Sequence, residues 1–166
     1  MYTARARIIF LLFVAALHTI VVSRAECAES ARGGLSVNGG VIGIRHHYTK
    51  EAFGISGFGY FHEYWGVEAV ALVSASLLLS LDIKYRHSLL SGDRVYITLG
   101  AGASLDIDER FGYGMNLKTG MEFWPASILF FAVDFGFYYM SYSEYFYGTH
   151  TRPGYALTAG AGIKIW

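Results

Sequence analysis

Two short groups of side chains in this sequence could take part in catalysis. Thr149-His150-Thr151, with Glu144 nearby, offers a hydroxyl nucleophile, a base and an orienting acid, and His87-Ser88 places a base beside a hydroxyl. Neighbouring side chains of a strand point to opposite faces, so His87 and Ser88 cannot cooperate from within a strand. A polar segment such as the one around His150 contains trios of this kind by chance. We therefore expect no catalytic residue and no cofactor.

Histidines at three positions could bind a divalent metal if their segments meet. They are His46, His47 and His150. Metal sites place their ligands at constrained spacings in the sequence, and the spacing of these three histidines follows no such pattern. We therefore predict no metal site, and we expect these histidines to hydrogen-bond water or lipid headgroups at a membrane surface.

Charged residues occupy one face of segments that alternate in polarity. From Val95 to Leu105 the odd positions are apolar, while the even positions from Tyr96 to Asp106 are mostly small or polar. Side chains alternate between the two faces of a strand, so one face can meet lipid while the other meets a polar lumen. We expect nine even-numbered charged residues to face this lumen: Glu68, Asp82, Lys84, Arg86, Asp106, Lys118, Glu122, Asp134 and Lys164.

The same alternation and the turn residues predict eight strands. We place them at residues 35–47, 53–61, 66–74, 77–87, 95–106, 111–123, 128–140 and 155–166. Eight is the smallest even number found in bacterial membrane barrels, and an even number returns both termini to the periplasmic side. Two segments break the odd-outward pattern. Gly39-Gly40 predicts a bulge that switches the faces, and Phe58 and Tyr60 fall on the polar side without explanation.

Composition agrees with a protein of the cell envelope that has one domain. Hydrophobic residues make up 54% of the chain and charged residues 16%, but no apolar run after residue 22 is long enough for a spanning helix. The run from Ile8 to Val22 follows two arginines and precedes Ser23-Arg24-Ala25, which predicts a signal peptide at 1–25 and a mature domain at 26–166. Cys27 follows Glu26 rather than a small residue, so we do not expect it to carry lipid.

The charge balance excludes nucleic acid as an expected partner. Loss of Arg5, Arg7 and Arg24 with the signal peptide leaves 10 basic and 13 acidic residues, and no basic patch remains. The lipid bilayer is the expected partner instead.

Aromatic residues predict the two membrane interfaces. Trp65 and Trp124 fall in predicted periplasmic turns and Trp166 at the end of the last strand, while Tyr113 and Tyr139, with Tyr138 and Tyr142, would form the outer girdle. The fourth outer loop, predicted at 141–154, is the longest. Its contact candidates for a host protein, a hydrophobic ligand or lipid are Tyr142, Tyr145, Phe146 and Tyr147, and we favour the alternative that these residues anchor the loop at the interface.

At residues 34–166 the chain resembles the small eight-stranded outer-membrane barrels: the OmpA transmembrane domain, OmpX, OmpW and the opacity-type proteins. The resemblance rests on Gly59-Tyr60-Phe61, on Trp65-Gly66-Val67-Glu68, on the alternating segment 95–102 and on a last strand that ends in an aromatic residue. It implies delivery by periplasmic chaperones and insertion by the barrel assembly machinery, which reads the final aromatic residue, here Trp166. Lys164 departs from the pattern, which usually has an apolar residue at that position.

These observations predict an all-β, eight-stranded, antiparallel up-and-down transmembrane barrel after a cleaved signal peptide. An eight-stranded lumen is only wide enough for side chains, so the mixed charges should pair into a plug. The leading functional hypothesis is a non-enzymatic, porin-like surface protein that acts through its outer loops. Alternatives are an OmpW-like conduit for small hydrophobic molecules, which the many glycines could support, a lipid A-modifying barrel enzyme, and a soluble lipocalin-like carrier.

Overall fold

The structure is a computed structural model that describes residues 32–43, 49–90, 94–107, 111–144 and 148–165. The predicted signal peptide and Cys27, His46, His47, Tyr145, Phe146, Tyr147 and Trp166 lie outside these residues. The strands are β1 (Arg32–Gly43), β2 (Lys50–Tyr60), β3 (Trp65–Val73), β4 (Leu77–Ser88), β5 (Val95–Ile107), β6 (Gly112–Phe123), β7 (Leu129–Glu144) and β8 (Gly148–Lys164).

The eight strands form one closed antiparallel barrel in sequence order. Each strand pairs with its neighbours along the chain, and β1 pairs with β8 from Gly34↔Lys164 to Gly43↔Tyr155, which closes the sheet. The start of β1 and the end of β8 lie at the same end of the barrel, called the terminal end below, and the opposite end is called the loop end. Closure removes the unpaired edges that an open sheet would expose. Within the described residues, no helix is long and apolar enough to cross a membrane.

The predicted odd-outward phase holds along most of the strands, although the odd-numbered Ala69, Ala71 and Leu79 are buried. Outward side chains such as Val37, Met115 and Leu117 are more than 60% exposed, whereas the even-numbered Asp82 and Glu122 are 1% exposed. The apolar exterior and the charged side chains inside the barrel reverse the pattern of a soluble barrel.

The predicted bulge at Gly39-Gly40 is wrong. The β1–β2 register continues without interruption through Gly39↔Phe53 and Gly40↔Ala52. The apparent change of face arises because Ile42, an apolar residue, points inward and packs in the lumen. Phe58 and Tyr60 also point inward, where they are buried at the terminal end.

The fourth outer loop is much shorter than predicted because β7 and β8 extend into it. Ser141 to Glu144 pair with Thr151 to Gly148, so only residues 145–147 connect the two strands. Tyrosine and threonine favour extended backbone, and here they continue the ladder instead of forming a loop. The described part of β1 ends at Gly43, and the predicted end of this strand at residue 47 lies outside the described residues.

Candidate functional site: the barrel lumen

The lumen is filled by three layers of side chains from the terminal end to the loop end. The aromatic layer consists of Phe58, Tyr60, Tyr96, Trp124, Phe130 and Ala132, with Arg86 against two of the rings. The charged layer consists of Glu68, Asp82, Lys84, Lys118, Glu122 and Asp134. The apolar layer consists of Ile42, Ala52, Leu72, Leu78, Tyr138, Met140, Tyr142 and Ala156.

Lys84 links two walls of the charged layer. Its Nζ lies 3.0 Å from Glu68 Oε1 and 2.9 Å from Glu122 Oε1, and all three side chains are almost fully buried. Glu122 also accepts hydrogen bonds from the Tyr60 hydroxyl at 3.1 Å and from Trp124 Nε1 at 3.3 Å. A buried carboxylate needs such donors because the lumen offers little bulk water to solvate it.

Lys118 completes the layer from β6. Its ammonium group forms an ion pair with Asp82, donates a hydrogen bond to Ser80 Oγ at 2.9 Å and lies 3.9 Å from Glu68 Oε2. Gly100 and Gly136 flank Lys118 in the sheet register, so no neighbouring side chain obstructs its path across the lumen. The two lysines share Glu68 and thereby join four carboxylate and hydroxyl partners into one network.

Asp134 lies beside this network but takes no part in the ion pairs described above. It is half-buried and lines a lumen cavity of about 20 Å³ together with Asn38, Ser56 and Thr158. A space of this size accommodates a single water molecule among polar groups. It is too small to form a continuous water-filled path.

Among the described residues, Arg86 interacts with rings and backbone rather than with a carboxylate. Its guanidinium carbon lies 3.8 Å from the centre of the Tyr60 ring and 4.8 Å from that of Tyr96, and Nε donates to the Glu63 carbonyl oxygen at 2.9 Å. Cation–π contacts of this kind stabilise a desolvated guanidinium group. Arg86 therefore connects the β2–β3 turn, through the Glu63 carbonyl oxygen, to the rings of the aromatic layer.

Tyr142 was predicted to be an outer-loop contact residue, and this is wrong. It lies in β7, is 2% exposed and donates a hydrogen bond from its hydroxyl to Asp106 Oδ2 at 2.7 Å inside the lumen. Tyr138, predicted in the outer girdle, is also buried in the apolar layer. Both residues have even numbers, and the even-numbered side chains of β7 point into the lumen.

Trp124 was predicted in the lipid-facing girdle and is instead buried in the aromatic layer. Its ring stacks on Phe130 at a centroid distance of 4.9 Å and meets the edge of Phe58 at 6.3 Å. Trp65, Tyr113 and Tyr139 do lie on the exposed exterior, as the girdle prediction requires.

The remaining predicted residues are not brought into one site. Lys164 is half-buried at the last position of β8 and lies outside the ion pairs of the charged layer. His87 is exposed on β4, and Ser88 Oγ donates to the Leu90 carbonyl oxygen at the terminal end. Thr149, His150 and Thr151 are exposed on β8 rather than gathered around a pocket. Within the described ranges, no group of three potential metal ligands forms.

The sequence reasoning did not name two of the lumen residues. Ser80 belongs to the polar wall, where Lys118 donates to its Oγ, and Phe130 belongs to the aromatic layer. Both have even numbers, so the face pattern would have identified them had it been applied to every residue of β4 and β7. Asn116, whose Nδ2 donates to Ser104 Oγ at 2.6 Å, and Tyr96 lie on the inward face, as the alternation predicted.

The fold is that of small outer-membrane barrels whose structures are known. Neisserial surface protein A has a TM-score of 0.60 and 14% sequence identity, with 84% of this chain and 100% of that chain covered. OprG of Pseudomonas aeruginosa has a TM-score of 0.53 and 13% identity over 81% and 94%. Ail of Yersinia pestis has a TM-score of 0.53 and 9% identity over 81% and 97%. No protein-family model and no curated protein matches the chain.

The closed eight-stranded fold and the apolar exterior define a transmembrane β-barrel of the bacterial outer membrane. Its fold is that of the small eight-stranded outer-membrane barrels, as the resemblance in its sequence predicted. An exterior this apolar does not fit a soluble lipocalin-like carrier.

Proposed function

We propose that this chain is a non-enzymatic outer-membrane barrel that presents surface segments for structural or adhesive interactions and does not conduct ions. The observation that carries this proposal is the lumen, which is filled in series by aromatic, ion-paired and apolar side chains. An ion that crossed the barrel would have to break buried ion pairs, which is costly in a region without bulk water.

The β7–β8 hairpin is the best-supported interaction segment. Among the described residues, the last pair with β6 is Gly112↔Tyr142 and the last pair with β1 is Gly43↔Tyr155, yet β7 and β8 continue to pair with each other as far as Glu144↔Gly148. The hairpin therefore extends beyond the described ends of β1 and β6. Thr149, His150 and Thr151 are exposed on it and provide polar contacts.

The partners of this function are also proposed. A host surface protein is one candidate, and Ail, which has the same fold, is named for attachment and invasion. Delivery by periplasmic chaperones and insertion by the barrel assembly machinery follow from the proposed class. Trp166, the expected recognition residue, lies outside the described residues.

The first experiment measures single-channel conductance of the refolded chain in a planar bilayer, with insertion verified by heat-dependent gel mobility. An inserted barrel without current steps is the expected result. Discrete current steps at low voltage would contradict the filled lumen and would make transport the leading functional hypothesis.

The second experiment measures adhesion of bacteria that display the chain to immobilised laminin, collagen and heparin. Replacing Thr149, His150 and Thr151 by alanine should reduce adhesion. Alanine at His62 and Ser127, which are exposed in turns at the terminal end, should not, because that end faces away from the cell surface. Equal adhesion of the two variants would exclude the hairpin as the contact segment.

A conduit for small hydrophobic molecules is the second candidate. It is favoured by the apolar layer at the loop end of the lumen, which offers a hydrophobic surface below the outer rim. The charged layer blocks a straight path, so such molecules would have to leave sideways through the wall. Uptake of a radiolabelled alkane by cells that produce the chain, compared with cells that do not, tests this alternative.

A further inference from the structure

A groove on the lipid-facing exterior has a volume of about 840 Å³. It crosses β4, β5, β6 and β7 between two ridges of large side chains. Ile83 and Leu99 stand on one side, and Leu117, Phe135 and Phe137 on the other. We propose that this groove is a binding site for an amphiphilic lipid of the periplasmic leaflet, with an acyl chain in the groove.

The floor of the groove is formed by two short side chains on adjacent strands. Ala101 pairs with Leu117, and Thr119 pairs with Leu99, so the small residues lie diagonally between the larger ones. Both small residues are exposed and face outward. Lys118 also borders the floor, but its ammonium group is bound to Asp82 inside the lumen and presents no charge to the lipid.

Aromatic residues form a lip at one end of the groove. Trp65 is the first residue of β3, at the terminal end, and its ring lies 5.0 Å from the Tyr85 ring, which in turn lies 6.2 Å from Tyr64. Aromatic rings with a polar atom favour the boundary between headgroups and hydrocarbon. Phe135 and Phe137, which line the groove on the side away from Trp65, lie in the middle of β7 and hence deeper in the bilayer.

This arrangement matches the two parts of a phospholipid. The groove is mainly apolar and opens toward the hydrocarbon, so it suits an acyl chain, while the aromatic lip lies where the glycerol and headgroup would be. The volume falls within the range of about 300–1,000 Å³ that is typical of small-molecule sites. The occupant comes from the bilayer because the lining side chains face it directly. This site is separate from the proposed surface function.

Native mass spectrometry of the refolded full chain in detergent, titrated with palmitoyl-oleoyl phosphatidylethanolamine, tests the proposal. Ala101→Leu places a larger side chain on the floor and should weaken binding of one lipid about tenfold. Ala103→Leu is the matched control, because Ala103 lies on the same strand and the same exposed face but outside the groove. Thr119→Leu fills the floor from β6 and replaces Ala101→Leu if that variant does not fold.

One lipid retained by the wild type and by Ala103→Leu, and lost from the groove variants, would support the site. Equal lipid binding by Ala101→Leu and Ala103→Leu would overturn it. A dimer mass that disappears in the groove variants would also overturn it, because a second copy of the chain would then occupy the groove. Retention of detergent in place of the lipid at saturating lipid would show only a general affinity for amphiphiles and would overturn the lipid assignment.

Discussion

Lys118 reaches across the lumen from β6 to partners on β3 and β4. It contacts Asp82, Ser80 and Glu68, of which both carboxylates are buried. Its removal therefore leaves the buried Asp82 carboxylate without the ion-pair partner described above. Breaking a buried pair costs more than the pair itself contributes to folding, because the remaining ion is desolvated and unpaired.

We expect Lys118→Met to destabilise the folded barrel by about 3–5 kcal/mol, the cost of removing one partner of a buried ion pair. Thermal unfolding in detergent, followed by heat-dependent gel mobility, measures the effect. Lys164→Met is the matched control, since Lys164 is only half-buried and lies outside the network. Identical melting curves for the two variants would contradict the structural role of Lys118.

A second prediction for a single residue concerns the Tyr142 hydroxyl. Tyr142→Phe removes the hydroxyl that donates to Asp106 Oδ2 and leaves a buried carboxylate with one donor fewer. The expected loss is about 1–3 kcal/mol, the cost of an unsatisfied buried polar group. Tyr139→Phe, on the exposed exterior of the same strand, should unfold at nearly the wild-type temperature. A similar loss in both variants would point to a general effect of the phenolic hydroxyl.

Among the strands, β1 shows most clearly how the two faces differ in crowding. A methyl group on Gly40, which points inward, would overlap the Leu157 carbonyl oxygen of β8, whereas one on Gly39, which points outward, would lie 3.6 Å from the Phe53 ring. The inward glycines thus allow β1 and β8 to approach where the barrel closes. Close packing between strands therefore accounts for glycines at inward positions, without any lateral opening of the barrel wall.

We therefore expect Gly40→Ala to lower stability by about 1–3 kcal/mol, the usual cost of overpacking. Gly39→Ala should be close to neutral, because its nearest contact is an ordinary van der Waals distance. Urea unfolding of the two refolded variants in lipid vesicles compares them directly. If Gly39→Ala were the more damaging, the assignment of faces in β1 would be wrong.

For the molecule as a whole, the three lumen layers act as barriers in series. Loss of one layer leaves the other two in place, so Phe58→Ala combined with Phe130→Ala should still show no current steps in a planar bilayer. The centre of the Phe58 ring lies 5.4 Å from Lys84 Nζ, but neither phenylalanine supplies a charge to the ion pairs, so we expect the charged layer to retain them in this variant. Discrete openings would identify the aromatic layer as the only closed segment.

The sequence by itself determined the class of fold and the face of each residue. The period of two in segments such as 95–105 predicted strands, and their number and length predicted a small membrane barrel, because backbone groups in a bilayer must pair within a closed sheet. The same parity, applied to Trp124 and Tyr142, would have placed both in the lumen. Those errors arose from assigning aromatic residues to the interface by type alone.

Only the tertiary structure decided which lumen side chains meet. Glu122 on β6 meets Lys84 on β4 and Tyr60 on β2, and these contacts depend on barrel closure and on the stagger between strands, which local periodicity does not contain. The exterior groove likewise depends on the register that sets Ala101 and Thr119 diagonally. Alternation specifies the face of a residue, whereas the neighbours across that face are specified by the three-dimensional closure of the sheet.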